Sequence, residues 1–102
     1  MGINLQWEGE KGNVLERVID ERDLVEQIVA AGGGGASTCL RFIDPYGDTV
    51  FNSIQIPVFI AEVRAIPDAS LSIEAKRHRE KIIALAEKTQ SRGHTYLKFY
   101  GD

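Results

Sequence analysis

The chain has one cysteine, Cys39, among 102 residues. A single thiol cannot close an internal disulfide, and structural zinc sites draw on several Cys or His ligands. A disulfide framework and a zinc-built fold are therefore both excluded. No apolar run approaches the roughly 18 residues that span a bilayer. The opening MGINLQWEGEKG lacks a basic start followed by an apolar stretch, so it does not read as a signal peptide, and the Ser or Thr of a myristoylation motif is missing. A basic excess is lacking too. Twelve Lys and Arg stand against fifteen Asp and Glu, for a net charge of -3. Nucleic-acid binding rests on a surface that neutralises phosphates, and this balance argues against it. The expectation is a cytoplasmic protein with no membrane contact.

What is present is ordinary globular material: 43% hydrophobic and 26% charged residues, enough to argue against a disordered chain. The length suits one domain, residues 1–102, that buries roughly two thirds of its unfolded surface. Ile3, Leu5 and Trp7 alternate with polar residues at period two, a strand with one buried face. EGEKGN then separates it from VLERVID, which predicts a β-hairpin. Asp20 is placed to cap a helix over about residues 21–31, with Leu24, Val25, Ile28 and Val29 at helical spacing and Gly32 as its stop. Residues 32–35 are four glycines. With no lysine following, and a helix before them, they read as a linker and not as a phosphate loop.

TCLRFI, residues 38–43, reads as a strand with Leu40 and Phe42 on one face and Cys39, Arg41 and Ile43 on the other. Asp44-Pro45-Tyr46-Gly47 matches a type I turn position by position. Thr49-Val50-Phe51 is β-prone and can pair back for a few residues. A helix starting near Ile56 or Pro57 and ending before Pro67 is apolar nearly all round, with Glu62 and Arg64 its charges, so it is buried on most sides or covered by another chain. Residues 73–92 form a longer helix with Ala75, Ile82, Leu85 and Ala86 in its stripe. Its charged first half places His78 in solvent. HTYLKFYGD closes the chain as a strand with Leu97 and Phe99 on one side and Tyr96, Lys98 and Tyr100 on the other. The fold class predicted is α+β: a single small domain, a mostly antiparallel sheet of about four strands, and two to three helices on one face.

LRFIDPYGDTVFNSIQIPV and the closing HTYLKFYGD resemble segments of a group of small bacterial proteins of unknown function. The resemblance covers about half of the chain, implies a bacterial source, and carries no activity, cofactor or partner.

No catalytic residue, metal ligand or cofactor is indicated. Asp44 and Asp48 fall short of a calcium loop: Tyr46 takes the third position and Gln55 the twelfth. Cys39, in a strand, reads as a small buried hydrophobe. Two surfaces compete. If helices cover only the Leu/Phe face, then Arg41, Tyr96, Lys98 and Tyr100 form a surface of the residue types enriched where proteins bind proteins. That points to a non-catalytic domain working through a protein partner or self-association as a homodimer. The alternative is a small enzyme or ligand-binding protein built on Asp44, Tyr46, Asp48 and His94, which needs those groups within hydrogen-bond reach.

Overall fold

A computed structural model of the chain describes residues 2–32 and 37–101. Of the four-glycine linker, all but Gly32 lies outside them. Strands β1 (Asn4–Gly9) and β2 (Val14–Val18) form the expected hairpin, and helix α1 (Leu24–Gly32) follows. Then come a 3-10 turn (Leu40–Phe42), β3 (Asp48–Phe51), α2 (Ile56–Arg64), a second 3-10 turn (Asp68–Ser70), α3 (Ile73–Ser91) and β4 (Thr95–Tyr100). The strands lie in the order β2-β1-β4-β3, and every neighbouring pair is antiparallel. The α+β prediction is met, with four strands and three helices packed around one core.

Alternation decides what each strand buries. Ile3 and Leu5, and Thr95, Leu97 and Phe99, point towards the helices and are buried. Phe51 reaches the same layer, where its ring meets Phe59 at 5.6 Å and Phe99 at 5.7 Å, the latter edge to face. Such offset pairs add roughly 0.5–1.5 kcal/mol each beyond their buried area. The helix 56–64 is less enclosed than its composition implied. Ile56, Phe59, Ile60 and Val63 are buried, whereas Val58 and Ala61 face out.

Three expectations are corrected. TCLRFI is not a strand. The Glu62 carboxylate on α2 accepts the N–H groups of Thr38, Cys39 (3.0 Å) and Leu40 (3.1 Å), and Ser37 Oγ accepts from Arg41 N. Backbone donors engaged this way suit the start of a helical turn and not a ladder. The fourth strand is instead the short Asp48–Phe51 run. The first helix starts at Leu24 and not at residue 21, because Asp20 bonds Leu24 N and Val25 N across an intervening bend in which Asp23 has φ +55°. His78 is buried, 5% exposed. The inward stripe of α3 runs straight through its charged half, so that Ala75, His78, Arg79 and Ile82 all turn inward. Arg79 is accommodated by donating to Ile66 O at 2.8 Å and to Asp68, sealing the α2–α3 connection.

His78 Nε2 has no hydrogen-bond partner among the described residues. Burial pushes this imidazole below its ordinary range; the nearby Asp20 carboxylate opposes that and Lys81 adds to it. The unfolded chain therefore binds a proton that the folded one refuses as pH falls below about 6.5. Stability is expected to decline from there until the folded imidazole itself titrates, by at most about 1.4 kcal/mol per pH unit. Urea unfolding from pH 7 to 5 checks this. His78→Gln should flatten the decline, whatever its own midpoint.

Candidate interaction surface

Because the helices lie on one side, the other face of the sheet is uncovered, and period two decides what stands there. β4 contributes Tyr96, Lys98 and Tyr100, and β1 contributes Asn4, Gln6 and Glu8. The register places Glu8 opposite Tyr96, Gln6 opposite Lys98, and Asn4 opposite Tyr100. β3 adds Asp48 beside Tyr100 and Val50 beside Lys98. Arg17 of β2 pairs with Gln6 on the far side.

This face is organised around a carboxylate that sequence reasoning passed over. Glu8 is 7% exposed although it points away from the core. The Tyr100 hydroxyl donates to its Oε2. Lys98 Nζ sits 4.6 Å from the centre of the Tyr100 ring and 3.7 Å from Asp48 Oδ2. Tyr100 is held above the ordinary phenol range, first by burial and then by its bond to Glu8, with Lys98 opposing. Lys98 is raised as well, chiefly by the Tyr100 hydroxyl, with Glu8 and Asp48 contributing. Both groups thus move away from neutral pH. A raised tyrosine stays protonated and a raised lysine stays charged, so neither is poised as a base or nucleophile. What this face offers a ligand is a fixed cation and the rings of Tyr96 and Tyr100, the Tyr100 O–H being already donated to Glu8. The cross-strand register was the signal that would have found Glu8, since it alone puts this residue against Tyr96.

Arg41 does not join this surface. It lies in the 3-10 turn, with its guanidinium 4.8 Å from the centre of the Phe42 ring. The second predicted cluster is split in two. Asp44 forms the turn as expected, accepting from Tyr46 N through Oδ1 (2.8 Å) and from Gly47 N through its carbonyl (3.4 Å). Tyr46 is 79% exposed, and Asp48 pairs across the sheet with Tyr100. His94 sits at the opposite end of β4, exposed and 3.6 Å from Glu10. Six residue steps along the strand separate His94 from Tyr100, roughly 20 Å at 3.3 Å per residue. Asp44 and His94 cannot share a proton across that distance.

Cys39 is buried, and burial, assisted by Glu62, raises its thiol above the ordinary range, which makes it a poor nucleophile. Among the described residues no three His, Cys, Asp or Glu side chains gather to hold a metal, and no helix is long and apolar enough to cross a membrane. Two open grooves stand out among the described residues. One of about 620 Å³ runs between β2 and α3, where Glu16 is tied to Lys88 (2.6 Å) and Arg22 to Glu74 (2.7 Å). The other, about 340 Å³, lies between Ile54 and His94.

No protein-family model, curated protein or solved structure matches the chain.

Proposed function

We propose that this protein is a non-catalytic domain of a bacterial cytoplasm that works by association, presenting the uncovered face of its sheet to a partner protein or to a second copy. The observation that carries this reading is the pinning of Lys98 and Tyr100 beside the buried Glu8 carboxylate, with Tyr96 on the same face. A face on which Lys98 and Tyr100 are held before binding loses little of their side-chain entropy when a partner arrives. Tyrosine is also among the residues that carry most interface energy. The raised Lys98 and Tyr100 and the separation of His94 from Asp44 give the association reading more support than the enzymatic alternative.

The test uses the immobilised protein to capture a partner from bacterial lysate, compared with a Tyr96→Ala/Lys98→Glu variant whose circular dichroism matches the parent. Each aromatic or charged anchor lost at an interface centre typically costs about 2 kcal/mol or more, so retention should fall at least roughly thirtyfold. Equal retention by both removes the reading, as does a parent that retains nothing and also sediments as a single chain at every concentration.

A further inference from the structure

The sheet has two open edges, β2 and β3. They differ in how they are guarded against another strand. β2 carries Glu16 and Arg17 at its centre and is disturbed by a register shift where it meets β1 between Trp7 and Glu8. Charges and bulges are the usual protection of an edge. β3 reads Asp-Thr-Val-Phe, with neither lysine nor proline, and its one charge is turned towards Lys98. Exposed apolar side chains gather around this same edge. Phe42 (61% exposed) and Tyr46 stand at the end where β3 begins, the Phe42 carbonyl meeting Thr49 Oγ1 at 3.4 Å. Ile54 (83% exposed) and the half-exposed Val58 stand at the end where it leaves.

We infer that β3 is the seam of a homodimer, pairing antiparallel with β3 of a second copy about a dyad at Val50. This rests on the self-association branch of that reading and moves the contact from the open face to the β3 edge, with a second copy as its occupant. Antiparallel partners about a perpendicular dyad oppose residues whose numbers share parity, with side chains on one face. A dyad at Val50 sets Val50 on its own copy, Thr49 on Phe51, and Asp48 on Asn52. Shifting the dyad to Thr49 would set the Asp48 carboxylate on Val50 instead. The Val50 register is the complementary one. Asn52 Oδ1 already accepts the N–H groups of Ile54 and Gln55 at 3.0 and 3.1 Å, which leaves its amide nitrogen to donate to the opposing Asp48. The same rotation carries the Phe42/Tyr46 end of one copy onto the Ile54/Val58 end of the other. The exposed apolar groups of one edge are thus covered by those of its mate. An isologous contact of this kind closes on itself and does not propagate.

The test combines sedimentation equilibrium with disulfide trapping on the whole chain. The parent should run at twice the 11.3 kDa chain mass as concentration rises. Ile54→Lys, a change at a solvent-facing side chain, should return it to a single chain mass with circular dichroism unchanged. Val50→Cys should be trapped as a covalent dimer on mild oxidation, since directly opposed Cβ atoms lie roughly 4.5–5.5 Å apart. Val14→Cys on the other edge should not, nor should the parent, whose Cys39 is buried. A single chain mass at every concentration overturns the inference. So does a dimer that survives Ile54→Lys and leaves Val50→Cys untrapped. If the chain stays monomeric but captures a partner that Tyr96→Ala/Lys98→Glu releases, the seam is wrong while the association reading stands. Failure of both removes both.

Discussion

Asp20→Ala should cost about 3–4 kcal/mol of folding free energy, the largest loss expected from any single side-chain truncation outside the apolar core. Asp20 is buried, and its two oxygens accept from three backbone N–H groups: Leu24 (2.8 Å) through Oδ1, and Val25 (3.1 Å) and Ile3 (3.2 Å) through Oδ2. It therefore does two jobs. It satisfies the free donors at the start of α1, and it ties the chain just before β1 to the same point. Its own N–H is held by Asn4 Oδ1 at 2.8 Å, which closes the tie. Capping alone is worth typically ~1 kcal/mol, and bonds to a charged acceptor are worth roughly 1.5–3 kcal/mol each, partly recovered when water replaces them. A domain of this size has only about 5–15 kcal/mol in total, so the melting temperature should fall by roughly 15–30 °C. Asp20→Asn separates the two jobs. One amide oxygen can still cap, but the amide nitrogen now faces an N–H, so most of the loss should persist. Thermal and urea unfolding of the three proteins decide it. A loss below about 1 kcal/mol for Asp20→Ala would show that water substitutes freely and that the carboxylate is not a tie.

Asp20 also marks how far the sequence could be read. Its role as a cap was legible because Asp before an apolar-periodic run is a local pattern. Its bond to Ile3 was not, because nothing local brings residues 3 and 20 together before the hairpin has folded. The same division holds elsewhere. The hairpin, α3, β4 and the Asp44 turn follow from alternation, helical spacing and turn chemistry. TCLRFI failed because a strand-like composition was overruled by one carboxylate, Glu62, arriving from 22 residues further along the chain to take up the Leu40 N–H. His78 was misplaced by reading the charge around it in place of its position in the stripe. On the open face, Tyr96, Lys98 and Tyr100 were legible as a set because they share one strand. Glu8 was not, since the Tyr100 hydroxyl that bonds it reaches across from the neighbouring strand.

Glu62→Gln is the second large effect, about 2 kcal/mol at pH 7 with a pH dependence that identifies its cause. Burial by itself pushes the Glu62 carboxyl up, but the N–H groups of Leu40, Thr38 and Cys39 together push it further down, so its folded value lies below the ordinary one. The sign follows. A carboxylate whose folded pKa is depressed contributes stability above its unfolded pKa, about 4.5 here, and that contribution disappears as pH falls through the folded value. Glutamine holds no charge at any pH and offers one accepting oxygen where the carboxylate offers two. The difference between parent and variant should therefore be full and flat from pH 7 to about 5 and should shrink towards zero below it. His78 does not confuse the comparison, because its titration is common to both proteins and cancels. A local readout accompanies the global one. Cys39 donates its N–H to Glu62 and its Sγ lies 3.8 Å from Gln55 O, so loosening the turn should raise the rate at which a thiol reagent reaches Cys39 in the folded variant. A stability difference that stays constant down to pH 3 would mean that Glu62 acts by shape and packing, and the account of why residues 38–42 turn instead of extending would have to be rebuilt.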